Sequence, residues 1–162
     1  ATTKNKRIGV IATDATVKSG AFLRELKKLD PKAVVFQNSC PLLVPLVESG
    51  EQNSKATKLI LQKYLKPLQI KKIDTLILGC THYGILENKI KKIIGSKINI
   101  ISEGKVVAGK LKDYLQRHKE IETKLSKRGK REFYSTDLTD KFNALGSKFY
   151  GRKIKVKKAF LK

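Results

Sequence analysis

Short continuous apolar segments alternate along the chain with segments whose apolar residues recur every three or four positions. Continuous runs of this length are typical of strands that are buried on both faces of a parallel sheet. Four strands are predicted in this way: Arg7–Ala12, Ala33–Gln37, Thr75–Leu78 and Ile98–Ile101. Strand alternates with helix four times, which predicts an α/β fold, a parallel sheet flanked by helices and joined by right-handed crossovers.

Helices are predicted wherever apolar residues share one face of a 3.6-residue repeat. One helix follows the break at residues 13–16 and ends at Asp30-Pro31, a second runs from Ser54 and is closed by Pro67, a third covers Ile85–Ile94, and a fourth runs from about Glu103 to Gln116. The side chains predicted to face inward are Phe22, Leu23, Leu26 and Leu29; Ala56, Leu59, Ile60 and Tyr64; Ile90, Ile93 and Ile94; and Val107, Leu111, Tyr114 and Leu115.

The composition changes after Arg117. The charged stretch Arg117–Arg131 has little to bury and is interpreted as a surface connection. A short strand around Phe133 and Tyr134 then leads to a helix that carries an apolar face of Leu138, Phe142, Leu145 and Phe149. This face is too apolar to be left in water, so it is expected to pack on the α/β part or on a partner.

The charge balance is extreme, with 36 basic and 14 acidic residues and a net charge of +22. Lysine supplies most of the excess and is spread along the chain, which favours a compositional bias over nucleic-acid binding. Seven of the fifteen residues from Lys148 to Lys162 are basic, so a basic α/β binding module that neutralises phosphates stays an alternative. This tail lacks the interleaved aromatic residues of a single-strand platform, and nucleic acid is not the expected partner.

Several classes of protein are disfavoured by what the sequence lacks. No apolar run reaches the roughly 18 residues of a membrane span. Two cysteines cannot build a disulfide framework, and a cytoplasmic setting is predicted. Methionine is absent, so either a start methionine was removed or the chain is a piece of a longer one.

The candidate chemistry lies where strands end, because ligands of open parallel sheets bind outside the carboxyl ends of the strands. The segment Gly79–Tyr83 places the thiol of Cys80, the hydroxyl of Thr81 and the imidazole of His82 between a strand and a helix. A helix that begins there would favour the thiolate of Cys80 through its N–H groups and dipole. The alternative is that Cys80 is a small buried apolar residue and His82 a satisfied polar residue at a helix start.

Other titratable residues carry weaker signals. Cys40 is interpreted as a packed residue at a strand end, although it could pair with Cys80. Glu48 could be a carboxylate at a helix end or in a turn, or it could orient His82 from an adjacent loop. His118 is expected to be solvated, and no metal is expected because Cys80 and His82 have no second Cys/His cluster near them in the sequence. No glycine-rich cofactor motif is present.

Three ordered blocks resemble bacterial glutamate racemase: Ile11–Thr13 with Ala15–Ala21, Ser39–Gly50, and Thr75–Tyr83. The resemblance implies a cofactor-independent isomerase that interconverts L- and D-glutamate for peptidoglycan synthesis, and thereby serves cell-wall biogenesis and cell shape. In that family two α/β domains face each other and each presents one cysteine. One thiolate removes the α-proton, and the opposing thiol delivers a proton to the other face.

Carried over by motif, the resemblance implies that Cys80 is the catalytic cysteine of the second domain and Glu48 its supporting carboxylate. It also implies that Thr81 and His82 contact the substrate or assist the thiol, whereas Cys40 falls in a block that is not catalytic. The family's first domain has no counterpart here, so the chain is expected to be the C-terminal three-fifths of a racemase.

On this interpretation residues 1–104 form the second α/β domain, and residues 105–162 form a segment that returns to the first domain. The chain alone is expected to racemise poorly or not at all, and a degenerate racemase remnant is a further alternative. A homodimer is compatible with the resemblance.

Overall fold

The computed structural model describes residues 3–127 and 129–161, so Ala1, Thr2, Arg128 and Lys162, which fall in segments interpreted above, lie outside the described residues. The chain divides into two compact units, one up to Leu111 and one from Lys112 onward. The elements in chain order are β1 (Arg7–Ala12), α1 (Asp14–Ser19), α2 (Ala21–Leu29), β2 (Val34–Ser39), α3 (Leu43–Glu48), α4 (Lys55–Ile70), β3 (Thr75–Gly79), a 3-10 helix (Thr81–Leu86), α5 (Glu87–Ile94), β4 (Asn99–Ser102), α6 (Glu103–Arg117), α7 (Lys119–Glu122), β5 (Phe133–Ser135), α8 (Asp140–Tyr150) and β6 (Val156–Lys158).

The first unit contains a four-stranded sheet with the order β2-β1-β3-β4, and every pair of neighbours is parallel. The predicted parallel α/β fold is therefore confirmed. Strand β1 lies in the middle and is buried from Ile8 to Ala12. Strand β2 was predicted to be a buried strand, but its residues are partly buried or exposed, because it forms an edge with one neighbour.

The core of this unit lies between the sheet and helices α3, α4 and α5. The residues buried in it share an aliphatic or aromatic character and include Ile11, Leu43, Val47, Leu61, Leu65, Leu68, Leu76, Leu78, Tyr83, Leu86 and Ile90. At roughly 25 cal/mol per Å² of apolar surface removed from water, such burial is the main force that holds the unit together.

Helix α4 differs from its prediction in both its end and its face. Ser54 caps it by accepting from the Thr57 amide at 3.1 Å, and the helix continues through Pro67 to Ile70. Proline removes one hydrogen bond but does not end the helix, because Leu68, one residue further on, is 2% exposed. The predicted inward face was also wrong in part: Leu59 is 65% exposed, and the buried residues are Thr57, Leu61, Leu65 and Leu68.

The predicted first helix is two helices. Gly20 adopts a left-handed conformation with φ at +64°, which ends α1 and starts α2. This conformation carries little cost for glycine and is unfavourable for a residue with a Cβ atom. Leu29 was predicted to face inward, but it is the last residue of α2 and is 84% exposed, so the buried face extends only over Phe22 and Leu26, which are partly buried.

The inward face was predicted correctly for helix α5 but not for helix α6, which extends past the end of the first unit. Ile90 and Ile94 of α5 are buried, as the pattern indicated. Helix α6 forms where it was predicted, but Val107, Leu111 and Tyr114 on its predicted inward face are 62%, 55% and 42% exposed.

In the second unit, β5 and β6 pair in parallel, with α8 between them in the chain. Strand β5 and helix α8 were predicted, whereas β6 lies in the segment that was interpreted only as a basic tail. Leu138, Phe142 and Phe149 of the predicted apolar face are each about two-fifths exposed, and Leu145 is partly buried. Across residues 3–127 and 129–161, no helix combines the length and the apolar character needed to cross a bilayer.

Candidate active site

The parallel register brings the predicted site segments to one edge of the sheet. Ala12 lies opposite Ser39 on one side and opposite Gly79 on the other. The residues that follow these three, including Cys40 and Cys80, therefore leave the sheet at the same edge, which is where an open parallel sheet binds its ligands.

Gly79 allows this edge to be closely packed. A Cβ atom added at Gly79 would lie 2.7 Å from the ring of Phe22 and 3.2 Å from the Cβ atom of Ala12. At a separation of 2.7 Å the Phe22 ring would have to shift. Glycine before Cys80 therefore lets the Phe22 side chain of α2 pack directly on the end of β3.

Cys80 ends the extended backbone of β3 and immediately precedes the 3-10 helix Thr81–Leu86. Its side chain is partly buried and lines a cavity of about 380 Å³. The other lining residues are Thr81, Gly84, Ile85, Glu87, Ser102, Glu103, Gly104 and Lys105. Cys80 is thus not fully buried, and it lies at the wall of a space large enough for a small molecule.

The helix that follows Cys80 is not the one that was predicted. A six-residue 3-10 helix comes first, and the α-helix α5 begins at Glu87. The dipole of a long α-helix therefore does not point at Cys80, because this effect falls off within one turn. Side chains near the thiol are the other groups that can act on it.

The nearest of these groups is His82. Its Nδ1 atom lies 3.8 Å from the Sγ atom of Cys80, and its Nε2 atom lies 3.3 Å from the Oε1 atom of Glu48. When Nε2 carries a proton and donates it to the carboxylate of Glu48, Nδ1 presents its lone pair to the thiol. The three side chains form a thiol–imidazole–carboxylate series that can accept the proton of Cys80 and stabilise the resulting imidazolium.

Helix α3 positions Glu48. Leu43 and Val47 of this helix are fully buried, and Glu48 is its last residue. Since α3 lies next to the 3-10 helix, the carboxylate reaches His82 from a neighbouring element. Glu48 is therefore a carboxylate at a helix end that also contacts His82, so the two interpretations of this residue are compatible.

Cys40 is the other cysteine of the chain, and it is fully buried in the core. Its thiol donates to the Asn38 carbonyl at 3.6 Å. Burial, with a smaller contribution from the charge of Asp14, raises the pKa of Cys40 to about 12. The interpretation of Cys40 as a packed residue at a strand end is confirmed, and this thiol is protonated at neutral pH.

His118 lies in the second unit and has local partners there. Its Nδ1 atom is 2.9 Å from the Glu120 carboxylate, and its ring stacks on Tyr114 with centroids 4.2 Å apart. The expectation of a merely solvated histidine therefore missed two contacts. The spacing of these side chains, four residues apart for the rings, is a helical spacing that the sequence could have revealed.

Two further residues of the site were missed. The Tyr83 hydroxyl is buried and donates to the Cys40 carbonyl at 2.9 Å. Glu87 on the cavity wall accepts from Lys105 at 2.6 Å and from Ser102 at 2.7 Å, and these hydrogen bonds, that of Lys105 first, lower the pKa of its carboxyl group. Both residues follow Cys80 closely in the sequence, but their partners come from other strands and helices, so local spacing carries no signal for them.

Within the described parts of the chain, no three side chains of the His, Cys, Asp and Glu types lie together in a way that could hold a metal ion.

The thiol of Cys80, the imidazole of His82 and the carboxylate of Glu48 thus lie together at the carboxyl edge of an open parallel sheet. Residues 1–111 match the family described as Asp/Glu/Hydantoin racemase. The chain belongs to the Asp/Glu/hydantoin racemase family.

Within this family, the curated relatives that the chain resembles include glutamate racemases. The chain is 43% identical to a glutamate racemase of Persephonella marina, over 97% of this chain and 57% of that protein. It is 40% identical to a glutamate racemase of a Sulfurihydrogenibium strain, over 91% of this chain and 54% of the relative. The chain thus spans slightly more than half the length of these curated relatives.

Solved structures agree with the fold. The chain superposes on a glutamate racemase isoform from Bacillus anthracis with a TM-score of 0.85 and 35% identity, covering 98% of this chain and 59% of the other. A glutamate racemase from Francisella tularensis, solved in complex with D-glutamate, gives a TM-score of 0.83 and 30% identity, with 97% and 58% covered. The resemblance to glutamate racemase is confirmed, and the basic binding module is not favoured.

Proposed function

We propose that the chain provides one catalytic half of a glutamate racemase, with Cys80 as the group that exchanges a proton with the α-carbon of glutamate. The observation that carries the proposal is that Cys80 lines a cavity and has His82, and behind it Glu48, within reach of its sulfur. The names of the relatives, and the D-glutamate bound to the Francisella tularensis enzyme, support glutamate as the substrate.

The proposed reaction needs a base on one face of the α-carbon and an acid on the other. The Cys80 thiolate, formed when His82 accepts its proton, takes the α-proton. The C–H electron pair is left on the α-carbon and is delocalised into the adjacent carboxylate. An opposing thiol then donates a proton to the other face, and in the reverse direction the two sulfurs exchange roles. No cofactor takes part in this proposal.

The assignment of Thr81 and His82 as substrate contacts is part of the proposal. Thr81 is exposed and lines the cavity beside Cys80, so its hydroxyl can bind a carboxylate of the amino acid. Hydrogen-bond donors aimed at this carboxylate stabilise the negative charge that develops when the α-proton leaves.

The opposing thiol must come from elsewhere, because Cys40 is fully buried and protonated at neutral pH. We therefore propose that the first domain of a racemase supplies it, and that residues 105–162 pack on that domain through the exposed apolar residues of α6 and α8. The chain alone is then inactive or nearly so. A role in peptidoglycan synthesis, a cytoplasmic location and assembly of the complete enzyme as a homodimer belong to the same proposal.

The proposal can be tested by following deuterium incorporation at the α-carbon of L- and D-glutamate in heavy water. The chain alone is expected to show no exchange above buffer. A fusion to the N-terminal portion of the Persephonella marina racemase is expected to exchange rapidly. Rapid conversion of one enantiomer of glutamate into the other by the unfused chain would contradict the requirement for a second thiol.

In the active fusion, Cys80→Ser is expected to slow the exchange by about 10³-fold or more, since a hydroxyl is a far weaker acid than a thiol and general acid–base groups contribute about 10² to 10⁴. His82→Asn is expected to slow it by about 10²-fold. His118→Asn is the matched control and should leave the rate unchanged. An active Cys80→Ser fusion would refute the proposed chemistry.

A further inference from the structure

Tyr83 follows His82 directly but points in a different direction. Its ring is fully buried in the core of the first unit, whereas the side chain of His82 is 32% exposed. The resemblance to racemases includes Tyr83 in a sequence block without giving it a role. Tyr83 lies beside a proposed catalytic residue, and its side chain carries one polar group, the hydroxyl.

The Tyr83 hydroxyl donates to the carbonyl oxygen of Cys40 at 2.9 Å, and this hydrogen bond is buried. Burial raises the pKa of Tyr83 well above its ordinary value, with smaller contributions from the two cysteines, so the hydroxyl keeps its proton and stays a donor. A buried phenol that is satisfied in this way is held in one orientation.

The same carbonyl marks the start of α3. The amide of Leu43, the first residue of that helix, also donates to the Cys40 oxygen, at 3.2 Å. Helix α3 is six residues long, which corresponds to about 9 Å, and it ends at Glu48. Tyr83 therefore contacts the beginning of the short helix whose end carries the carboxylate partner of His82.

The 3-10 helix and α3 are thus joined at two points. Tyr83 binds at the start of α3 through Cys40, and His82 binds at its end through Glu48. The buried contact is out of water and does not depend on a charge, whereas the second contact is partly exposed and 3.3 Å long. The buried contact is consequently the one that can hold the two elements in register.

We propose that Tyr83 is a positioning residue that acts through its hydrogen bond to the Cys40 carbonyl and keeps α3 at the distance at which Glu48 orients His82 toward Cys80. This inference rests on the proposed function of Cys80, His82 and Glu48 and adds to it. Tyr83 itself does not touch the substrate.

The test measures the reactivity of Cys80 in the chain as it is, so it does not require racemase activity. The rate of alkylation by iodoacetamide at pH 7 is followed by peptide mass spectrometry, which separates Cys80 from Cys40. Four proteins are compared: wild type, Tyr83→Phe, Glu48→Gln and the double variant. Because the Cys40 carbonyl keeps the Leu43 amide as a donor, Tyr83→Phe is expected to fold.

Each single variant is expected to slow alkylation of Cys80 by roughly threefold to tenfold, the size of effect that the loss of one hydrogen bond produces. The double variant should be no slower than Glu48→Gln, because the hydroxyl then has no carboxylate left to position. Tyr114→Phe removes an exposed hydroxyl elsewhere and should leave the rate unchanged.

The outcomes distinguish the proposed site of Cys80, His82 and Glu48 from the positioning role of Tyr83. If Glu48→Gln slows alkylation and Tyr83→Phe does not, Tyr83 is not a positioning residue, and the proposed site stands. If the two effects multiply in the double variant, Tyr83 acts independently of Glu48 and the inference is overturned. If Glu48→Gln has no effect, the support of Cys80 by Glu48 fails, and the role of Tyr83 fails with it.

A second measurement covers the case in which Tyr83→Phe does not fold. Coupling between two contacts is reciprocal. Glu48→Gln, a change at a partly exposed side chain, is therefore expected to increase hydrogen exchange at the Leu43 amide by about threefold, which is the small end of the range for one hydrogen bond. An unchanged exchange rate at Leu43 would show that the two ends of α3 are not coupled and would refute the inference.

Discussion

Both units of the chain carry large apolar residues, but the first unit buries them more completely than the second. In the first unit, a cluster of fourteen residues from Ile11 to Ile94 forms a continuous core. Among the described residues from Lys112 onward, Val156 alone is buried, while Tyr134, Leu138, Phe142, Phe149 and Phe160 are exposed. An apolar periodicity therefore predicts which face of a helix is apolar, but burial also requires elements to pack against.

The largest expected difference between the units concerns large apolar side chains. Leu61→Ala in α4 removes a fully buried side chain and is expected to lower the free energy of unfolding by about 2–5 kcal/mol. Phe142→Ala in α8 removes a side chain that is 44% exposed, and the expected loss is below about 1 kcal/mol. Urea denaturation of both variants measures the difference. Equal losses would show that the second unit has a core of its own.

A smaller effect is expected at Asp74, which joins residues 3–5 to the start of β3 within the first unit. Its carboxylate accepts from the Thr3 hydroxyl and the Lys4 amide at 2.6 Å and from the Asn5 amide at 2.7 Å. Burial acts to raise the pKa of Asp74, but these hydrogen bonds, with one from Thr75, outweigh it and lower the pKa to about 2. Asp74→Asn is expected to lose about 1–3 kcal/mol at pH 7.

The stabilisation by Asp74 is expected to be lost in acid. Because the folded-state pKa lies below the ordinary value of 3.8, this stabilisation is fully present above about pH 4 and is lost as the pH falls through about 2. The gap between the melting temperatures of wild type and Asp74→Asn should therefore narrow between pH 4 and pH 2. In the second unit, Lys157 lowers the pKa of the exposed Glu132, and Glu132→Gln is the matched variant, which should change the melting temperature little.

The smallest effects are expected at the helix caps. Ser54→Ala removes the cap of α4 and is expected to reduce the stability of the first unit by about 0.5–2 kcal/mol. Thr139 caps α8 in the same way, by accepting from the Phe142 amide at 3.1 Å. Thr139→Ala should increase hydrogen exchange in α8 and leave the main unfolding transition in place. A similar shift of the main transition by both variants would contradict the contrast between the units.

The sequence predicted the strands of the first unit well because continuous apolar runs such as Arg7–Ala12 have few other structures available to them. It predicted helix α4 less well, because Leu59 and Leu61 belong to two overlapping apolar faces and only the sheet decides between them. The end predicted for α4 at Pro67 was wrong for a related reason: the free-energy cost of a proline within the helix is smaller than the gain from burying Leu68.

For the site, Cys80, His82 and Thr81 were within reach because they are adjacent in the sequence and follow a strand. Glu48 was identified as a possible partner of His82, and the structure brings the two within 3.3 Å, although their catalytic roles stay proposals. The part of Tyr83 was out of reach, since its partner is a backbone carbonyl more than forty residues away.

The burial of Cys40 has a practical consequence. With one thiol protonated and shielded at neutral pH and the other open to a cavity, a maleimide dye or a nitroxide should attach at Cys80 alone, without any engineered cysteine. The chain thus carries one expected attachment point for a spectroscopic reporter, at the wall of the cavity that Cys80 lines.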